Sequence, residues 1–240
     1  MIQKLFDLVT GERRRIKQIV TTLDDFLAHA ETNSLTDLLA KKNLEEGVVE
    51  LVYNNGEHSS NGLLISDDGY FLTARHCVED DVLPLKMRLY DGTECEIEKK
   101  HVHGKWPIDI ALAKAKVPGN ATARQYNFYK EDMIASSLPI ALFTIRDGAL
   151  VKKYGFTKPH YVKNKDFVCS TLPSRGGDSG GIIATYNFKL LGIHSFRIMG
   201  LINDEGEVKN YHGFHASTAI SMLKALDLLN FYKHRLESRL

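Results

Sequence analysis

Residues 176–181 read Gly176-Gly177-Asp178-Ser179-Gly180-Gly181, and no other stretch constrains the fold of this chain as tightly. Glycines on both sides of a serine let the backbone turn sharply, in conformations that side chains with a Cβ rarely enter. A hydroxyl then stands out from the turn while neighbouring N–H groups converge on the same small volume. Such a run belongs in a tight connection, not inside a helix or strand. Its chemistry suits acyl transfer, which needs a nucleophile beside donors for a developing oxyanion.

Two upstream segments supply what a serine hydroxyl lacks at neutral pH. Thr73-Ala74-Arg75-His76-Cys77 follows the apolar stretches Gly62-Leu63-Leu64-Ile65 and Tyr70-Phe71-Leu72, and Ile108-Asp109-Ile110-Ala111-Leu112 sets a carboxylate in a strand-like run. A histidine can take the serine proton, and an acid can hold the imidazole in the required tautomer. Singly, each has an ordinary explanation, a packed histidine or an aspartate capping a turn. Together, in the order His76, Asp109, Ser179, they resemble the chymotrypsin/trypsin superfamily of serine peptidases over roughly residues 45–217. The competing Gly-x-Ser-x-Gly elbow of α/β-hydrolases, an esterase reading, places its acid and histidine after the serine. It also needs strand–helix alternation, whereas 47–170 reads as short strands parted by turns such as Asn54-Asn55-Gly56 and Asp67-Asp68-Gly69.

The expected fold is mostly β: two six-stranded antiparallel barrels of the chymotrypsin type, with an N-terminal helical extension and a C-terminal helix. Residues 1–43 form the extension, 44–117 the first barrel with His76 and Asp109, 118–138 a linker, 139–217 the second barrel with Ser179, and 218–240 the closing helix. Strands are expected at 47–53, 62–66, 70–74, 86–90, 94–102 and 108–115, then at 140–145, 149–154, 167–169, 181–185, 190–196 and 211–216. In the extension, Ile16, Ile19, Val20, Leu23, Phe26 and Leu27 recur at helical spacing, so residues 12–30 predict an amphipathic helix able to pack on the barrels or dock a partner. Ser34 and Asp37 predict a capping box that opens a short second helix through Leu38 and Leu39.

With 240 residues, 43% apolar content and a net charge of +1, the chain is an ordinary soluble composition and no general nucleic-acid binder. No apolar run is long enough for a membrane span, and Met1–Asp7 lacks the apolar core of a secretory signal. Cys77, Cys95 and Cys169 are an odd count. The resemblance implies a disulfide from Cys77 to a position that here holds Asn61, so the cysteines are expected to be reduced thiols and the location cytoplasmic. Asn120-Ala121-Thr122 matches a glycosylation sequon that such a compartment leaves unused. Cys77, Cys95, His101 and His103 fit no closed zinc spacing, and neither a metal nor another cofactor is expected.

The resemblance implies that His76 is general base then general acid, that Asp109 orients it, and that Ser179 attacks with the N–H groups of Gly177 and Ser179 as oxyanion hole. Ser195 is implied as a hydrogen-bond donor to Asp109. In zymogen-activated relatives the residue at Asp178 pairs with a freed N-terminal Ile or Val; no such start lies upstream of Gly47, and its partner is left open. Pro173 at the base of the primary pocket argues against Arg or Lys specificity. Ser174, His194, Ser195, Phe196, Arg197 and His215, with Arg175 nearby, match a pocket for Glu or Gln, as in glutamyl endopeptidases. The expected function is an intracellular serine endopeptidase performing limited proteolysis of protein or peptide substrates. A non-catalytic binding scaffold of the same fold is the third reading.

Overall fold

The structure is a computed structural model, describing residues 35–79, 85–103, 109–119, 126, 129, 137–157, 167–198, 201–202, 208–209 and 216–221. Six strands, β1 (Val48–Tyr53), β2 (His58–Leu64), β3 (Tyr70–Thr73), β4 (Leu85–Arg88), β5 (Glu94–His103) and β6 (Ile110–Ala115), close into a barrel in the order β1-β2-β3-β6-β5-β4. A second, six-stranded sheet runs β8-β7-β10-β11-β14-β9. Its members are β7 (Pro139–Arg146), β8 (Ala149–Phe156), β9 (Phe167–Ser170), β10 (Ile182–Thr185), β11 (Leu190–Ile198) and β14 (Ala216–Ser221). The strands β12 (Leu201–Ile202) and β13 (Val208–Lys209) pair in a separate ribbon that brackets 203–207. Every pairing between these strands is antiparallel, which no α/β-hydrolase sheet is.

The continuous apolar runs of the sequence follow from burial on both faces. In β7, Ile140 and Leu142 enter one cluster with Val168, Leu172 and Ile183 inside the second sheet. The intervening Ala141, Phe143 and Ile145 join a different cluster containing Val48, Leu63, Leu72 and Ile110 of the barrel. Likewise Val49 and Leu51 of β1 fill the barrel with Phe71, Met87 and Ala113, while Val48 faces the sheet. Each fully buried side chain of this size contributes roughly 1.5–3 kcal/mol. The shared cluster therefore fixes barrel and sheet against each other, and the residues of interest lie along that junction.

Several expected boundaries move. The strand β2 begins at His58 rather than Gly62, because the polar stretch His58-Ser59-Ser60-Asn61 pairs with β1 as far as Val52↔His58. Of the strand expected at 211–216, residues 211–215 lie outside the described residues; Ala216–Ser221 is a strand, so the closing helix does not start at Thr218. This segment pairs with β11 on one side and β9 on the other, and ladder bonds on both edges outweigh the helical spacing of Ile220 with the leucines that follow. The rest of the expected closing helix, 222–240, lies outside the described residues, as do residues 12–30 of the expected amphipathic helix.

The helix α1 (Leu35–Gly47) is longer than the short element expected from Ser34 and crosses the 43/44 boundary. Its continuation brings Leu44 to 1% exposure in the shared core, whereas Leu38 and Leu39 stay exposed. It stops where a Cβ on Gly47 would meet Tyr126 Oη at 1.9 Å. Among the described residues the second sheet does not close into a barrel. Its two edge strands do meet at one point, an isolated bridge between Thr157 and Ser170, with Thr171 N donating to Phe156 O at 2.9 Å.

Candidate active site

His76 sits in a 3₁₀ turn, Arg75–Cys77, directly after β3, and Asp109 immediately precedes β6, the strand that pairs with β3. Neighbouring strands thus bring residues far apart in sequence to one barrel edge. Two bonds join them: Nδ1 of His76 donates to Asp109 Oδ2 at 2.7 Å, and its backbone N–H donates to Oδ1 at 3.0 Å. The β11–β14 register slips between His194 and Phe196, leaving Ser195 as the extra residue of a bulge. Its hydroxyl donates to the same Asp109 Oδ2. Asp109 is 8% exposed, whereas the His76 side chain is about half exposed.

Charge follows from these contacts. Burial works to raise the Asp109 carboxyl, but the hydrogen bonds from His76 and Ser195 outweigh it and hold the group below the usual carboxylate range. The bond to Asp109, with a further contribution from the neighbouring Cys77, raises His76 well above its ordinary 6.5.

Ser179 stands in the turn before β10. Gly180, at φ +76°, has no room for a side chain, since a Cβ would lie 1.8 Å from Asn61 O in β2. That approach lets Asn61 N donate to Ser179 O at 2.8 Å, a backbone bond from barrel to turn. The Ser179 hydroxyl donates to Ser195 O at 3.2 Å. Among the described residues it makes no bond to Nε2 of His76; bonds of that kind are commonly loose in an unliganded site. His76, Ser179, Gly177 and Cys77 line one cleft of ≈ 230 Å³ with Tyr53, Ser59, Ser60 and Leu85. Asp178 N donates to Arg175 O, Gly181 N to Asp178 O and Gly180 N to His194 O of β11, whereas the N–H groups of Gly177 and Ser179 meet no acceptor among the described residues.

Of the expected pocket residues, Ser174 and His194 are buried and lie off that cleft wall. Ser174 Oγ and His194 Nδ1 are both buried without a partner among the described residues. Phe196 and Arg197 continue β11, paired with Thr218 and Ser217; His215 lies outside the described residues. Burial lowers His194 to about 4. Between about 6.5 and 4 the unfolded chain therefore binds a proton that the folded protein refuses. Stability should fall by roughly 3 kcal/mol as pH drops through that window. In urea titrations across pH, His194→Phe should lack this component; an identical acid profile in the variant would refute the assignment.

The sequence reading missed a polar network behind the turn. Glu50, 0% exposed in an otherwise apolar strand, receives His58 Nδ1 at 2.8 Å, Arg88 Nη1 at 2.9 Å, Asp147 N at 2.8 Å and Gly148 N at 3.2 Å. His58 Nε2 and Asn61 Nδ2 donate to Gly177 O, both at 2.9 Å. Asn61, where the resemblance places a disulfide cysteine, also accepts from Ile145 N at 2.7 Å and Thr73 Oγ1 at 2.6 Å. The available signal was one charge inside Val48-Val49-Glu50-Leu51-Val52. Asp178 finds its partners in Lys153 Nζ and Arg175 N, with Arg146 Nη2 at 3.7 Å.

The chain is similar to "Probable periplasmic serine endoprotease DegP-like" of Chlamydia trachomatis serovar D, 25% identical over 144 residues. The likeness is to a serine endoprotease. It covers 58% of this chain and 28% of the relative, so the chain spans under a third of that protein's length. No protein-family model matches the chain. No helix among the described residues is long and apolar enough to cross a membrane.

Proposed function

We propose that the protein is a serine endopeptidase of the chymotrypsin fold that hydrolyses peptide bonds through an acyl-enzyme intermediate. The observation that carries this reading is the bonded set Ser195–Asp109–His76, whose histidine lines one cleft with Ser179. His76 takes the Ser179 proton as the hydroxyl attacks the carbonyl carbon, then returns it to the leaving amine; water repeats the cycle on the ester. Asp109 holds the ring by two bonds and stays ionised. The free N–H groups of Gly177 and Ser179 receive the oxyanion. The second sheet is read as a barrel closed through the Thr157–Ser170 edge contact. A reducing compartment is supported by Cys77 and Cys95 being free thiols.

Specificity for Gln or Glu before the scissile bond is supported by the two unmet polar atoms, Ser174 Oγ and His194 Nδ1. Buried polar groups of this kind almost always have partners. An amide or carboxyl oxygen of a substrate side chain is the complementary acceptor. With His194 held neutral, Gln is the better fit at neutral pH, and Glu gains as pH falls, because a buried carboxylate calls for the protonated ring. A positional-scanning peptide library tests this, with Ser179→Ala as the blank. Gln and Glu should be cut best, and His194→Ala should slow those peptides at least tenfold, in line with about 1–3 kcal/mol for an orphaned polar group. A wild-type preference for Phe, Leu, Lys or Arg would refute the pocket while leaving the serine mechanism standing.

A further inference from the structure

We infer that Lys153, assisted by Arg146, is a positioning residue for the turn carrying Gly177 and Ser179: its ammonium holds the buried Asp178 and so sets the direction of the two amides beside it. The inference rests on the acyl-transfer reading above. Asp178 lies between those two amides in sequence and is 1% exposed, and a carboxylate that deep requires a counter-charge. Lys153 Nζ and Arg175 N, the latter at 2.6 Å, engage Oδ2, and Arg146 Nη2 stands 3.7 Å from Oδ1. Arg146 Nη2 also donates to Gly176 O at 2.6 Å, fixing the peptide unit just before Gly177.

Both cations come from outside the turn, on a rigid support. Arg146 ends β7, and Lys153 on β8 pairs with Leu142 of β7, two strands away from the start of β10. The two strands join through Asp147-Gly148, a two-residue turn with both φ angles positive (53° and 75°), the geometry that matches strand twist. The N–H groups of that turn donate to Glu50 of the barrel. The hairpin is thereby locked before it delivers Arg146 and Lys153. With both its oxygens met from within the chain, Asp178 needs no group released by cleavage to assemble the turn.

Because the amides act on the oxyanion and not on the bound peptide, losing their alignment should lower kcat and spare KM. The test uses the best-cut library peptide and its aldehyde analogue, whose hemiacetal carries the oxyanion. Lys153→Met should lower kcat by ~100-fold, with KM within about threefold. Aldehyde affinity should drop in parallel while affinity for the cleaved product peptide holds. Lys153→Arg should recover most of kcat. Should Lys153→Met fail to fold around an unpaired carboxylate, Lys153→Met/Asp178→Asn, with no buried charge, should fold and show the same loss of kcat. A folded variant with wild-type kcat, or a loss confined to KM, would overturn the inference. If Ser179→Ala is inactive while Lys153→Met turns over normally, only this inference fails; if Ser179→Ala retains hydrolysis, the acyl-transfer reading fails first.

Discussion

Alanine at Ser179 or at His76 is expected to lower kcat/KM for a cleaved peptide by at least about 10⁴-fold, and the double variant to be little worse than either single one. The two groups act in one proton transfer, so removing the second adds little once the first is gone. A serine-directed phosphonate should label Ser179 and spare the alanine variant. The bond to Asp109 raises His76 above its ordinary 6.5, and the base must be neutral. Activity should therefore climb with rising pH, along a limb lying above the ordinary histidine range. Asp109→Asn should move that limb to lower pH while cutting the plateau rate, since the ring loses both its charge partner and its orientation. Hydrolysis that survives Ser179→Ala, or that depends on Cys77, would refute the mechanism.

Glu50→Ala is expected to destabilise the barrel wall by about 3–5 kcal/mol, because it removes a buried carboxylate that four hydrogen-bond donors share. Arg88 would keep only Glu94, His58 would lose its bond at Nδ1, and the Asp147 and Gly148 amides would lose their acceptor. Glu50→Gln keeps the shape and at least part of the hydrogen bonding, so it should cost less. Urea unfolding measures both. The effect should also reach the site, since His58 and the Asp147-Gly148 hairpin lead from Glu50 to the Gly177 turn. A Glu50→Ala protein as stable as wild type would show that the network is not a structural clamp.

Much of the site was legible because its chemistry is local in sequence. Glycines around Ser179 announce a turn, and His76 and Asp109 each sit at the mouth of an apolar strand. The bond from Ser195 to Asp109 was implied by the resemblance alone, since nothing in the residues around Ser195 marks it. Strand identity was also readable, since runs such as Ile140–Ile145 are too apolar for an exposed face. What the one-dimensional pattern could not carry was pairing. The strand Ala216–Ser221 is a strand because it fills the gap between β11 and β9, although its spacing also suits the start of a helix. Nothing in the sequence joins Lys153 to Asp178 or Glu50 to Gly148, 25 and 98 residues apart. The first needs β8 and β10 flanking β7 in one sheet, and the second needs barrel and sheet packed together. By itself the sequence determined which groups could do chemistry and that strands would carry them. The tertiary structure decided which buried charges neutralise one another, because a charge removed from water must find its partner wherever packing places one.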